Sequence, residues 1–220
     1  MKRIIKKIIG TQYEWESHIE NIFHVFNKNL KTFTPRNMLD VGCGNGERTM
    51  RIAGYFNIQP FNVHGVDNDD KRLIESNKIF IANRIDLEKG ALPYKSEMFD
   101  LVVCNQVLEH LKNFREIFSE ITRVTTKEGY IVIGIPNLAH LINRIYLLLG
   151  IQPMCIHLNG PHVRAYTHRS FLKFLKSING IKIIDYKGAL MYPLPFFVSN
   201  YLCGYLPGLS GYTCYLLQKE

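Results

Sequence analysis

Residues 38–50 read MLDVGCGNGERTM, with Gly42, Gly44 and Gly46 packed into five positions directly behind a short apolar run. Glycine inside a helix costs roughly 1 kcal/mol relative to alanine. Three of them just ahead of an amphipathic stretch therefore mark a sharp turn from strand into helix. Glycine allows the backbone angles of such a turn and lets a ligand lie directly on the main chain. The first amides of the helix that follows are donors in search of a partner. In an open α/β sheet this arrangement sits at the carboxyl end of a strand, where ligands bind.

The remaining sequence keeps the same rhythm. Trp15, Ile19, Ile22, Phe23, Phe26 and Leu30 recur at three- and four-residue steps and predict a helix, which Pro35 stops. Then NMLDVG, VHGVD, FDLVVCN and YIVIGIPN read as short apolar strands. Between them GERTMRIAGYF, DDKRLIESNKIF and FREIFSEITRVT read as helices, the last with Phe114, Ile117, Phe118, Ile121 and Val124 on one face. RSFLKFLKSI predicts another helix, and IKIIDYK and GYTCYLLQK two final strands. Alternation of this kind implies right-handed βαβ units and a mostly parallel sheet with helices on both faces. No linker divides the 220 residues, so one domain is expected. It comprises a helical cap over 1–34, a ligand-binding core over 35–136, and insertions with the final strands over 137–220.

The loop also limits its ligand. The dinucleotide pattern G-x-G-x-x-G/A would put a small residue where this chain has Glu47, an acid that would repel a pyrophosphate. No G-x-x-x-x-G-K-[ST] occurs either. The expected ligand is a nucleoside without phosphates, and Asp40 at the strand end favours one that carries a cationic group. Asp67 closes the next strand, where a carboxylate can accept both hydroxyls of a ribose. It can also cap the following helix.

These residues resemble the class I S-adenosylmethionine-dependent methyltransferases. LDVGCGNG matches their D/E-x-G-x-G-x-G motif, HGVDNDD their second, acidic motif, RIDLEKGALPYKSEMFDLVVCNQVLEHL the adenine contact and fourth strand, and KEGYIVIGIPN the fifth strand. The resemblance implies a Rossmann-like sheet of seven strands, the last antiparallel, with the N-terminal helix and a late insertion as lid. It implies S-adenosylmethionine as cofactor, with Asp40, Gly42 and Gly44 at the methionine end and Asp67 and Asn68 at the ribose. Asp86 and Leu87 would meet the adenine, and Asn105 and Gln106 would close the site.

Such a protein must hold an acceptor in line with an activated methyl group and exclude water. His110 in VLEHL, beside Glu109, is the candidate base. His157, His162, Arg164 and Tyr166, in the segment after the fifth strand, are the candidate acceptor-binding residues. No metal is expected. Cys155, His157, His162 and His168 follow no zinc spacing. Some related methyltransferases, including ubiquinone-pathway and small-RNA 2′-O-methyltransferases, bind a divalent ion through E-x-x-E-H, and the first acid here is Gln106.

The expected reaction is O-methylation of a small or lipid-like acceptor. An RNA methyltransferase and a non-catalytic S-adenosylmethionine-binding module are the alternatives. A net charge of +8 is compatible with a polyanion, but no basic-aromatic stripe accompanies it, so nucleic acid is not the expected partner. Five scattered cysteines without a CxxC pair predict a reducing, cytoplasmic setting. The basic, apolar start MKRIIKKIIG and the uncharged stretch between Lys187 and Lys219 add the expectation of peripheral membrane contact, with the tail over 190–209 lining an acceptor pocket. The oligomeric state is not legible.

Overall fold

The computed structural model describes residues 11–153, 155–192 and 194–220. The basic start over residues 1–10, on which the membrane expectation partly rested, lies outside them. A seven-stranded sheet runs in the order β3-β2-β1-β4-β5-β7-β6. Its strands are β1 (Met38–Val41), β2 (Val63–Asp67), β3 (Ile81–Arg84), β4 (Phe99–Asn105), β5 (Thr125–Pro136), β6 (Ile181–Ala189) and β7 (Tyr212–Lys219). The pairs among β1 to β5 are parallel, and β7 runs antiparallel to both β5 and β6. The chain moves outward from β1 to β3 and then returns to β4 on the other side of β1. The carboxyl ends of β1 and β4 thereby part, which is where such sheets take ligands.

Helices cover both faces, and each buries the stripe its period predicts. α4 (Phe114–Val124) turns Phe114, Ile117, Phe118, Ile121 and Val124 into one core layer. α6 (His168–Lys176) joins it through Phe171 and Leu175. The opposite layer is built by α1 (Thr11–Asn29), α2 (Glu47–Tyr55) and α3 (Asp70–Ser76), which bury Ile19, Ile22, Val25, Phe26, Ile52 and Leu73 against the sheet. Asn29 Nδ2 and Lys28 Nζ meet the Asp185 carboxylate of β6 at 2.8 and 2.9 Å, which pins the far end of α1.

Two helices fall where the sequence pattern is weak. α5 (Leu141–Leu148) and α7 (Phe196–Tyr205) are apolar on most sides rather than striped. α7 packs on β6 through buried Ser199 and Cys203, while Tyr201 and Tyr205 stay exposed. The expectation that this tail lines a pocket beside the histidine-rich segment is corrected for the described residues: none of those in α7 borders the cleft described below. No helix among the described residues is long and apolar enough to cross a membrane.

Asn137, fully buried at the end of β5, anchors the late insertion. Its Nδ2 donates to the carbonyls of Gly208 and Ser210 at 3.1 and 2.7 Å, and its Oδ1 accepts the amides of Ala139 and His168 at 3.1 and 3.2 Å. One side chain thus joins the start of α5, the start of α6 and the turn before β7.

Gly134 of β5 is the tightest point in the sheet. A Cβ there would lie 1.9 Å from Asn105 Oδ1 and 2.3 Å from the Tyr212 hydroxyl. Those two atoms form a 2.7 Å buried hydrogen bond. Gly134→Ala must break it or move β7. The expected loss is about 1–3 kcal/mol, or roughly 3–10 °C in melting temperature, measured by thermal denaturation. An unchanged melt would show that the strands give way freely.

Candidate functional site

The first turn of the site is made by the glycines. Gly42, Gly44 and Gly46 have φ of +82°, +56° and +83°. A Cβ on Gly42 would strike Val107, and one on Gly46 would strike Phe80. A Cβ added to Gly44 would meet, among the described residues beyond its chain neighbours, nothing nearer than the aliphatic Arg72 Cδ at 4.0 Å, so that face of the loop has room for a ligand. The amides of Gly42 and Cys43 donate to the Val66 carbonyl at 2.8 and 3.1 Å. The Gly44 amide donates to Asp67 Oδ2 at 2.9 Å. Loop and acid, 23 residues apart in sequence, are therefore one unit.

Around this unit lies a cleft of about 800 Å³ at the carboxyl ends of β1, β2 and β4. It is bordered by Gly42, Gly44, Asp67, Asn68, Asp86, Leu87, Asn105 and Gln106, all expected from the sequence. Asp40 is the exception. It is buried beneath the loop, where its Oδ2 accepts a 2.5 Å bond from Thr49 Oγ1. Burial pushes its carboxyl up to about 6, against the pull of that bond and of Arg48. Its influence on a ligand is that of a charge under the floor. Glu47 is corrected too: it is exposed and faces a separate surface depression, so it does not guard the cleft against phosphates. The acids on the cleft wall are Asp67, Asp86 and Glu88, facing Arg48 and Arg72.

At the far end of the cleft the chain makes a single helical turn, Leu108–His110, just past β4. Gln106 reaches it through a left-handed φ of +59°, fixed by its amide bond to the Gly134 carbonyl. Asn105 Nδ2 and Gln106 Nε2 are buried donors without a partner among the described residues. Asn105 Oδ1 is already held by the Tyr212 hydroxyl, which leaves the amide nitrogen as the free end. Such atoms cost about 1–3 kcal/mol each unless a ligand or water meets them.

The expected acceptor residues divide. His162 packs edge-on against His110, ring centroids 4.8 Å apart. Its neighbour Pro161 borders the cleft together with His110. Arg164 is a strut instead: its guanidinium donates to the carbonyls of Leu111 and Lys112 and lies over the Phe114 ring. Tyr166 is core, with its ring against Phe114 and Phe171 and its hydroxyl donating to the Leu108 carbonyl at 3.0 Å. His157 is exposed and borders no part of the cleft. Periodicity cannot separate these roles, because the segment is irregular and its partners are more than 40 residues upstream.

Glu109 is the least expected member. It is 0% exposed, neither carboxylate oxygen has a partner among the described residues, and burial pushes its carboxyl up to about 8. Burial also lowers His110, opposed by its bond to the Pro161 carbonyl. Glu109, His110 and His162 bring one donor atom each to within 4.8 Å of one another. By contrast, Cys155 meets Asn143 Nδ2 and His168 meets the Tyr215 hydroxyl, so the cysteine–histidine set weighed for zinc does not assemble.

Comparison with known proteins agrees with this geometry. Residues 39–133 match the family model described as a methyltransferase domain. An uncharacterized protein of Methanocaldococcus jannaschii is 31% identical over 60% of this chain and 61% of its own length. Ajmaline N-methyltransferase of Rauvolfia serpentina is 29% identical over 45% of this chain and 35% of its own. The chain thus matches less than two thirds of either relative. A crystal structure of an S-adenosylmethionine-dependent methyltransferase from Thermotoga maritima, described as a possible histamine N-methyltransferase, superposes over the whole of both chains. Its TM-score is 0.64, at 16% identity. Residues 39–133 thus match a methyltransferase domain, and the seven-stranded sheet with its antiparallel β7 has the fold of that Thermotoga maritima structure.

Proposed function

We propose that this chain transfers the methyl group of S-adenosylmethionine to a hydroxyl oxygen of a small or lipid-like acceptor. The observation that carries the reading is one continuous cleft from Asp67, the ribose acid, to His110, the candidate base. The residues present fit the cofactor. The space above Gly44 suits the methionine end, and Asp40 beneath it supplies negative charge to a cationic group. Asp67 carries lone pairs for a ribose beyond the two amides it already accepts. Asn105 Nδ2 and Gln106 Nε2 find no acceptor among the described residues and are free to donate to a ligand.

When bound, the cofactor supplies a methyl carbon already activated by the sulfonium. What remains for the protein is placement and proton removal. Asn105 and Gln106, locked by Tyr212 and the Gly134 carbonyl, fix the cleft end. His110 holds Nδ1 at 3.1 Å from the Pro161 carbonyl, an acceptor only, so the proton sits on Nδ1 and Nε2 keeps a lone pair for the acceptor's hydroxyl proton.

A small acceptor is favoured over RNA because the cleft wall mixes Arg48 and Arg72 with Asp67, Asp86 and Glu88 rather than forming a basic track. The lipid-like variant is supported by exposed Leu147, Leu148, Leu149 and Leu158, the last of them four residues before His162. A panel of hydroxylated, amine-bearing and RNA acceptors, read by mass spectrometry, tests the class. Methylation of amines alone would move the reaction to nitrogen, and no turnover on any acceptor would favour a binding module.

Calorimetry should show S-adenosylmethionine and S-adenosylhomocysteine binding and no NAD binding. Asp67→Ala should weaken S-adenosylhomocysteine by about tenfold or more, from the loss of bonds to a charged acceptor worth roughly 1.5–3 kcal/mol. Tight NAD binding would overturn the cofactor assignment. Unchanged affinity in the variant would reduce Asp67 to a brace for Gly44.

Asp40 gives a prediction in pH. Its folded-state carboxyl is raised to about 6 from 3.8, so the folded protein holds this proton more tightly than the unfolded chain. The group opposes folding fully above about pH 6, and the penalty vanishes below about pH 4. Asp40→Asn keeps an oxygen for Thr49 and removes the charge. It should melt higher than the parent near pH 8, by about 1–3 kcal/mol, with the gain gone near pH 4. The same variant should bind the cationic cofactor more weakly. A gain that persists at low pH would point to packing instead of charge.

A further inference from the structure

We infer that the surface formed by α5, the loop around Leu158 and the end of α7 docks on an anionic lipid bilayer. The peripheral contact expected from the sequence rested on the basic start and on the tail. The structure puts its two most exposed large apolar side chains among the described residues elsewhere: Leu158 at 91% and Leu148 at 86%, both in the insertion between β5 and α6.

α5 is inverted relative to a helix that faces water. Its buried side holds a polar residue, Asn143, whose Nδ2 donates to the Leu138 carbonyl at 2.9 Å and to Cys155 Sγ at 3.2 Å. Its outer side carries exposed Ile145 and Leu148, one turn apart, with exposed Leu147 and Leu149 beside them. A helix on a water-facing surface turns its apolar stripe inward and its polar face out. The chain then folds back at once, with the Ile151 amide on the Tyr146 carbonyl at 2.7 Å, and Ile151 is exposed as well.

Hydrogen bonds tie the neighbouring elements into the same surface. The Arg144 guanidinium donates to the carbonyls of Ala139 and Gly208 at 2.7 and 3.2 Å, which joins α5 to the turn after α7. Just ahead of that turn, exposed Tyr201 and Tyr205 hold their rings 5.2 Å apart, next to exposed Leu206. On the other flank, the bond from Asn143 to Cys155 brings in the loop that carries Leu158. Pro161, three residues further on, borders the cleft, so the surface lies beside the cleft mouth. A contiguous exposed apolar patch of this kind marks an interaction site.

Charge and shape choose the occupant. No Asp or Glu occurs between Glu128 and Asp185, a span that holds α5, the loop and α6, while Arg144, Arg164, Arg169, Lys173, Lys176 and Lys182 all lie within it. Arg169, Lys173 and Lys176 make no ion pair among the described residues. A second copy of the chain would set this positive face against itself. A bilayer with anionic headgroups attracts it instead. Side chains as exposed as Leu148 and Leu158 form a ridge, which a deformable lipid surface accommodates without a matching groove. Leucines enter the boundary between headgroups and acyl chains, where tyrosines also concentrate. α5 has 8 residues, too few to span, so it lies along the interface.

The test uses the full-length protein and vesicles of phosphatidylcholine with and without phosphatidylglycerol, read by co-sedimentation. Binding should require the anionic lipid and fall as salt rises. The double substitution Leu148→Glu, Leu149→Glu should weaken binding by about tenfold or more while the protein melts like the parent, because both side chains are exposed. Phe61→Glu replaces an exposed ring ahead of β2, at the opposite end of the sheet from the insertion, and should bind vesicles like the parent. No binding to anionic vesicles at low salt, equal binding to phosphatidylcholine alone, or binding that survives the double substitution would each overturn the inference. Self-association without lipid that the same double substitution abolishes would also overturn it, in favour of a second copy of the chain. None of these readouts involves methyl transfer, so the inference and the reaction proposed above stand or fall separately.

Discussion

The cofactor end of this molecule depends on how closely the turn after β1 can press against its two neighbouring strands. Gly65 of β2 shows the constraint most plainly. A Cβ there would lie 2.7 Å from both Cys43 Sγ and a carbon of the Phe80 ring. Gly42 and Gly46 are equally intolerant, against Val107 and Phe80. Because these contacts carry no side chain, the loop drops low enough for its Gly44 amide to reach the Asp67 carboxylate. The floor of the cleft, the acid that closes it and the open space above it are consequences of that one close approach.

The far end of the cleft is built on a different principle. It rests on a single irregular turn after β4, held from behind by the final strand and from the front by the long insertion. Tyr212 of β7 orients Asn105, and Gly134 leaves room for both. Asn137 ties the ends of the insertion together, and its loop then folds back so that two consecutive amides grip the Glu109 carbonyl. Burying Glu109 is the outcome. Neither of its carboxylate oxygens has a partner among the described residues, and a donor atom of His110 and one of His162 lie within 4.8 Å of it.

The parts of the fold legible in sequence are those where a local period is enforced by burial. The α4 stripe of Phe114, Ile117, Phe118, Ile121 and Val124 is buried to the residue. β4 spans FDLVVCN as read, because a strand covered on both faces is apolar through its middle. β3, whose IANR alternates a single buried residue with exposed ones at the edge of the sheet, gave no such signal. α7 gave none either, since prolines and glycines flank it and its apolar residues are not confined to one side.

The site divides along the same line. The sequence by itself marked residues that border the cleft: the glycines and Asp67 through local pattern at strand ends, and Asp86 and Asn105 through the resemblance to a known family. Even there it misplaced Asp40, which is under the floor, and Glu47, which faces away, because which side of a loop a residue presents is set by neighbouring strands. The far end of the cleft was decided by tertiary structure alone. His162 and Tyr166 are four residues apart in an irregular segment, yet one meets His110 and the other fills the core beneath Leu108. No sequence period distinguishes them: the direction of each side chain is chosen by contacts with a turn more than 50 residues earlier, and those contacts exist only once the sheet has closed.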